Sequence, residues 1–165
     1  MTGVISIVLM SLSFTQAPQF EAALTGSWTG TLEYRDYRSD KRVTLPTSLV
    51  VAQVSPGLLT FAYVYDDGPG KTVTSQDRVS IDAGKSTYRV QNGDGTYDGT
   101  FTAAGLSEFG SGSPTVTLTG KGDENGVMVD LRITIQLGSA SLTMLRESRR
   151  PGEEWLFRNR YVFSR

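Results

Sequence analysis

The sequence predicts an all-β domain in which about ten antiparallel strands form an up-and-down meander that closes into a barrel. From Gly26 onward, short segments rich in Val, Thr, Tyr and Phe alternate apolar with polar residues, as half-buried strands do. Clusters of Gly, Asp, Asn and Pro separate these segments at hairpin spacing. An open sheet of this size would leave two unpaired edge strands, and closure into a barrel removes both edges.

The predicted strands follow one another with short connections. They span residues 26–36, 42–53, 58–65, 71–81, 85–91, 96–103, 114–121, 126–137, 139–147 and 153–164. Turn sequences such as DDGPG and NGDG supply residues that tolerate positive φ. Pro46 has no amide hydrogen for a neighbouring strand, so we expect a bulge or bend there. No linker or repeat interrupts the pattern, and residues 24–165 are assigned to a single barrel domain.

An apolar run, VISIVLMSLSF, occupies residues 4–14. It is shorter than the roughly 20 residues that a membrane helix needs, and it is typical of the apolar region of a secretory signal. Residues 1–23 are therefore interpreted as a signal peptide or N-terminal segment, and the protein as extracytoplasmic, that is, periplasmic or secreted. Because no basic residue precedes Arg35, an N-terminal helix that caps the barrel is the alternative.

The composition excludes several kinds of function. The 165 residues include no Cys and no His, which excludes thiol nucleophiles, Ser-His-Asp triads, zinc sites built on Cys or His, and His-ligated haem. A net charge of −1 lacks the basic excess that nucleic-acid binding needs. We predict no cofactor, no metal site, no nucleic-acid partner and no stable membrane insertion, and we expect a monomer or weak dimer.

The apolar side of the alternation predicts which residues face the barrel lumen. Asp77, Arg146 and Asn159 interrupt it. Since a buried charge is costly unless it is paired or bound, either these residues lie at the barrel ends, wet or paired with each other, or they anchor the polar head of a ligand. In the second case the ligand body would contact an apolar wall formed by Phe61, Tyr63, Tyr88, Phe101, Met144, Trp155 and Phe157.

The first strand begins with GSWTG, residues 26–30. GSW resembles the Gly-x-Trp signature of the calycin barrels (lipocalins, fatty-acid-binding proteins and avidins), and GSWTG resembles the start of nitrobindin-like barrels. The resemblance implies that Trp28 plugs the closed end, that Gly26 lets the backbone turn in tightly, and that a late arginine, Arg165 or Arg160, covers the tryptophan. The C-terminal WLFRNRYVFSR is similar to bacterial lipocalin-like proteins.

The sequence also departs from these families. Nitrobindin-like proteins bind haem through a histidine, which this chain lacks, so that activity does not carry over. Avidins have an asparagine two residues after the tryptophan, where this chain has Gly30, so biotin binding is not expected. Fatty-acid-binding proteins insert two helices after the first strand, and RSDKR at residues 38–42 leaves no room for them.

These observations predict an exported, lipocalin-like barrel that binds a small, mostly apolar or amphipathic molecule. An anionic head group would suit Arg146, because arginine binds carboxylates and phosphates through two parallel hydrogen bonds. Two alternatives stay open. One is a cofactor-free barrel enzyme of the cyclase or isomerase type that uses Tyr63, Asp77 and Arg146, and the other is a filled structural or partner-binding barrel.

Overall fold

The computed structural model describes residues 19–36, 39–110 and 113–165. A short helix precedes ten strands, and every predicted strand is present with boundaries that differ by three residues at most. The elements are α1 (Gln19–Leu24), β1 (Gly26–Arg35), β2 (Arg42–Ser55), β3 (Leu58–Asp66), β4 (Thr72–Asp82), β5 (Thr87–Asn92), β6 (Asp98–Ala104), β7 (Thr115–Glu124), β8 (Val127–Leu137), β9 (Ser141–Arg149) and β10 (Leu156–Ser164).

The strands form a closed antiparallel barrel in which each strand pairs with its neighbours in sequence and β1 pairs with β10. The all-β prediction and the closed meander are therefore confirmed. The bulge expected at Pro46 is absent, because Pro46 lies in regular register opposite Thr31. Pairing of β2 with β3 begins only at Thr47, so β2 has a free edge at Pro46 and the missing amide hydrogen costs no ladder bond.

Alternate residues of each strand point into the barrel. The interior is apolar because most of these inward-pointing residues are apolar. The largest fully buried side chains come from both α1 and the strands, and they include Trp28, Phe20, Phe101, Leu24, Leu49, Leu59, Leu118, Leu131, Ile135 and Leu142. One core therefore serves the whole barrel. Within the described ranges, no helix is both long and apolar enough to cross a membrane.

One end of the barrel is closed by α1. Its sequence QFEAAL favours a helix, and the i, i+4 pair Phe20 and Leu24 turns toward the core, where both are buried. The buried Glu21 carboxylate accepts hydrogen bonds from the Gln53 side chain (3.0 Å) and the Gly57 amide (2.9 Å), which fix the helix to the β2–β3 turn. A helix therefore caps the barrel, but at residues 19–24; residues 4–14 lie outside the described residues.

The GSWTG segment follows the helix directly and completes this closed end. Gly26 has a φ of 130°, in the region that favours glycine, and it turns the chain from α1 into β1. The Trp28 indole is buried and donates to the Leu24 carbonyl at 2.9 Å. The Arg165 guanidinium lies 4.3 Å from the centroid of the Trp28 ring and donates to the Thr25 carbonyl at 3.1 Å. The first and last strands are thus joined over the tryptophan.

The opposite end of the barrel is open, and its rim is uneven. Pairing of β4 with β5 ends at Asp77 and Asn92, although β4 begins at Thr72. Residues 72–75 therefore project past β5 with β3 as their strand partner, and their side chains are exposed. The overhang leaves Asp77 at the point where β4 joins the closed wall.

Candidate functional site

A cavity of about 180 Å³ lies in the lumen toward the open end of the barrel. Six aromatic rings and several aliphatic side chains form most of its wall, and three polar side chains from β4, β9 and β10 complete it. The lining residues are Phe61, Tyr63, Asp77, Val79, Tyr88, Val90, Tyr97, Phe101, Leu118, Ile133, Ile135, Met144, Arg146, Asn159 and Tyr161.

Eight of the ten residues predicted to bind a ligand line this cavity. They are Phe61, Tyr63, Asp77, Tyr88, Phe101, Met144, Arg146 and Asn159. Two further aromatic residues of the wall, Tyr97 and Tyr161, were not among the predicted set. Tyr161 lies in the same alternation as Asn159, and Tyr97 lies in the same alternation as Phe101 within the predicted strand 96–103, so the sequence held a usable signal for both.

Trp155 and Phe157 do not line the cavity, which corrects the prediction for these two residues. The ladder between β9 and β10 shifts between Phe157 and Asn159, and an extra residue in a strand reverses the facing of everything before it. Phe157 consequently packs under the Arg42 guanidinium, 3.9 Å from its ring centroid. Trp155 lies between two guanidinium groups, those of Arg132 at 4.3 Å and Arg149 at 4.5 Å.

Arg146 projects from β9 into the cavity, where its Nε is buried and has no hydrogen-bond partner in the part of the chain that the structure describes. The nearest ring stack is weak, since its guanidinium carbon is 5.9 Å from the Tyr97 centroid. A buried polar group without a partner costs about 1–3 kcal/mol, so an unused donor in this position is a feature to be explained. Asn159 lies beside Arg146 in the β9–β10 ladder and adds an amide to the same wall.

Asp77 projects into the same cavity from β4 and is partly buried. Burial raises the pKa of its carboxyl above the ordinary value, and the negative charge of Asp94 raises it further. Among the described residues, no ion pair joins Asp77 to Arg146. The alternative that these two charges pair with each other is therefore wrong.

A row of aromatic rings joins β3 to β10, two strands that β2 and β1 separate in the barrel. Tyr63 stacks on Tyr65 at 5.8 Å and lies 5.3 Å from Tyr161, which in turn stacks on Phe163 at 5.6 Å. Burial raises the pKa of Tyr63 and of Tyr161 well above the usual tyrosine value, and neighbouring charges and hydroxyls add to the effect. These phenols stay protonated near neutral pH, so Tyr63 is unsuited to act as a general base.

The hydroxyl groups of Tyr65 and Tyr161 lie 3.0 Å apart in a hydrogen bond. Beyond this pair, toward the solvent, an open depression of about 320 Å³ has mostly apolar walls and includes Leu32, Leu45 and Val73. Leu32 is the β1 partner of Tyr161, so the depression and the lumen cavity are adjacent. The tyrosine pair is the wall between them.

A second charged cluster lies near the open end, and it is fully paired. Arg158 donates to the Ser148 hydroxyl at 2.5 Å and forms an ion pair with Glu124. Ser148 also donates to Glu124 at 3.1 Å, and its side chain is buried. This cluster joins β7, β9 and β10, and its satisfied hydrogen bonds indicate a structural role.

A larger groove of about 630 Å³ lies outside the lumen, against β1, β2 and the β3–β4 turn. Its walls are mainly Thr, Ser, Gly and Pro, with Asp66 as the charged residue. Because it is open to solvent, it lacks the enclosure that small-molecule sites use. Across the described residues, no group of three or more acidic side chains is placed to hold a metal ion.

Comparison with known proteins supports the fold and gives no information on the chemistry of the cavity. No family model matches the chain, and no curated protein matches it. Among solved structures, the crystal structure of Rv2717c from M. tuberculosis is similar, with a TM-score of 0.63 and 16% sequence identity. The match covers 92% of this chain and 98% of that one. At this identity the likeness shows that the two proteins share a barrel architecture.

Proposed function

We propose that this protein is a calycin-like, lipocalin-type barrel that binds a small, mostly apolar ligand through an anionic head group at Arg146. The observation that carries the proposal is the buried Nε of Arg146, which faces an apolar cavity and has no hydrogen-bond partner among the described residues. A carboxylate or phosphate would supply the missing acceptor, and charge-assisted hydrogen bonds of this kind are stronger than neutral ones.

The wall around Arg146 supports this proposal. Aromatic and aliphatic side chains surround a few convergent polar groups, which is the usual composition of a small-molecule site. Asn159 lies next to Arg146 and can donate a second hydrogen bond to the same head group. The body of the ligand would lie deeper in the lumen, against Phe61, Phe101 and Met144.

Haem does not suit this cavity. The sequence has no histidine or cysteine for the iron. Tyrosine ligates haem iron in some proteins, but burial raises the pKa of Tyr63 and Tyr161 and so opposes formation of the phenolate that would bind the metal. The haem chemistry of nitrobindin-like barrels is therefore not part of the proposal.

We also propose that the protein is exported and acts as a monomer or weak dimer outside the cytoplasm. The apolar run at residues 4–14 supports export. Phe20 and Glu21 are buried parts of the closed end, so any signal cleavage should come before Gln19. N-terminal sequencing of the protein recovered from its native cells tests this point, since a cytosolic product that retains Met1 would contradict export.

The binding proposal is tested with a pair of probes of matched shape, benzoate and its neutral amide, benzamide. Replacement of Arg146 by Met (Arg146→Met) keeps much of the side-chain volume and removes the charge. We expect calorimetric titration to show at least a tenfold loss of benzoate affinity, about 1.4 kcal/mol, with benzamide affinity nearly unchanged.

Arg160→Met is the matched control, because Arg160 lies on the neighbouring strand β10, is exposed, and pairs with Glu33 outside the lumen. It should leave both affinities as they are. An equal loss for both probes in Arg146→Met, or no binding of either probe by the unmodified protein, would refute the head-group proposal and favour a filled barrel.

A further inference from the structure

Asp77 and Arg146 lie on opposite walls of the lumen. Asp77 belongs to β4 and Arg146 to β9, and in the closed order of ten strands these two are five positions apart in either direction. The two side chains line the same cavity from its two sides. A pair of opposite charges that face each other across a cavity cannot satisfy one another directly.

The described residues leave polar atoms of both side chains without partners. Among these residues, the buried Nε of Arg146 has no acceptor, and the Asp77 carboxylate receives no hydrogen bond. A nearby guanidinium would lower the pKa of Asp77, whereas burial and Asp94 raise it. The cavity therefore presents an unused donor on one wall and an unused acceptor on the other.

The space between these walls has the size of one aromatic ring with small substituents. The cavity of about 180 Å³ is slightly larger than the apolar cavity of roughly 150 Å³ that is known to hold benzene. Aromatic side chains line it between the two charges, among them Tyr88, Tyr97 and Phe101. Aromatic walls favour a planar ring through offset-stacked and edge-to-face contacts.

We infer that the ligand is a single-ring aromatic acid with a hydrogen-bond donor, a hydroxyl or an amino group, on the side of the ring away from its carboxylate. The carboxylate binds Arg146 and Asn159 on one wall, and the donor binds Asp77 on the other. This inference rests on the proposed function, because it takes Arg146 as the anion site, and it adds the second anchor and the size of the ligand.

Calorimetric titration of three probes tests the inference: benzoate, 3-hydroxybenzoate and 4-hydroxybenzoate. A hydrogen bond to a charged group strengthens binding by about tenfold or more, and tenfold in affinity corresponds to about 1.4 kcal/mol. We therefore expect at least one hydroxybenzoate to bind the unmodified protein ten times more tightly than benzoate. Asp77→Ala should bring the two hydroxybenzoates to within about twofold of benzoate.

Arg78→Ala is the matched control, since Arg78 is the next residue on β4 and its side chain is exposed. It should preserve the preference for the hydroxybenzoate. Asp77→Asn serves as a second variant that keeps the side-chain shape, and it should reduce the preference in the same direction as Asp77→Ala.

The outcomes separate this inference from the proposed function. Equal affinities for all three probes, each reduced by Arg146→Met, would overturn the Asp77 anchor and leave the head-group site intact. A hydroxybenzoate preference that survives Asp77→Ala would also overturn it. Failure of every probe to bind the unmodified protein would overturn the proposed function together with the inference.

Discussion

The two ends of the barrel differ in whether their buried charged groups are satisfied by hydrogen bonds. At the closed end, Glu21 is buried and its carboxylate accepts two hydrogen bonds from the β2–β3 region. The exposed Arg165 stacks on Trp28 there and donates to two carbonyls. Toward the open end, Arg146 has a buried Nε that no described residue satisfies. A satisfied buried charge fixes a structure, whereas an unsatisfied one costs stability.

The difference separates structural residues from candidate binding residues without any reference to a known ligand. An unpaired buried donor is rare in folded proteins, so the Nε of Arg146, which no described residue satisfies, supports the proposal of a bound ligand. The paired cluster of Arg158, Ser148 and Glu124 shows that this barrel can satisfy charges near its open end. The unsatisfied Nε of Arg146 is therefore a feature of the cavity and not a general feature of the open end.

The largest expected effect on stability is at the closed end, at Trp28. Trp28→Ala removes a fully buried side chain and its hydrogen bond to Leu24, so it should lower the free energy of unfolding by about 3–5 kcal/mol. Urea unfolding followed by tyrosine fluorescence measures the loss. A loss below about 1 kcal/mol would show that the closed end is not held by this residue.

A smaller loss is expected from Glu21. Glu21→Ala leaves the Gly57 amide and the Gln53 side chain without their acceptor, which should cost about 1–3 kcal/mol. Glu21→Gln is the matched control, because its amide oxygen still accepts one or both hydrogen bonds, and it should lose less. Equal losses in the two variants would mean that the negative charge, and not the hydrogen-bond acceptor, fixes α1.

The smallest effect concerns Asp77 and has a defined pH dependence. Because the pKa of Asp77 is raised in the folded protein, its ionisation as the pH rises costs stability. Asp77→Asn should therefore raise the Tm at neutral pH, and the gain should fade at a pH below the ordinary aspartate pKa of about 3.9, where the carboxyl is protonated in both states. Thermal unfolding at the two pH values measures it.

Asp98 provides the control of opposite sign for this experiment. A hydrogen bond from Arg89 holds the pKa of Asp98 below its ordinary value, so Asp98 stabilises the folded protein above that range and loses its contribution as the pH falls. Asp98→Asn should lower the Tm at neutral pH. A gain from Asp77→Asn that is the same at both pH values would contradict the role of its ionisation.

The alternation of residues along the strands predicted most of the fold and most of the lumen. The ten strands and most of their inward faces follow from a period of two, since a regular ladder preserves that period. The prediction went wrong at Trp155 and Phe157 because the irregularity between Phe157 and Asn159 reverses the face, and no residue type at Arg158 announces it. The sequence also could not predict which side chains face each other across the lumen, because this depends on which strands lie opposite each other in the closed barrel.

The closed end could also be predicted only in part from the sequence. The resemblance of GSWTG to calycin barrels implied a plug at Trp28 and a covering arginine, and the structure places Arg165 over that ring. The structure explains why a glycine occupies position 30: a Cβ there would lie 1.9 Å from the Val162 carbonyl oxygen on β10. The helix α1 has only six residues, which is too short for helical periodicity to be recognised in the sequence.

The free energy of unfolding of Arg146→Met, measured in urea without any ligand, tests the contrast between the two ends most directly. If Arg146 is kept for a ligand, removal of its unpaired donor should leave the protein as stable as before or more stable by about 1 kcal/mol. If Arg146 is a structural residue like Glu21, the variant should instead lose about 1–3 kcal/mol. A loss of that size would contradict the assignment of the open end to binding.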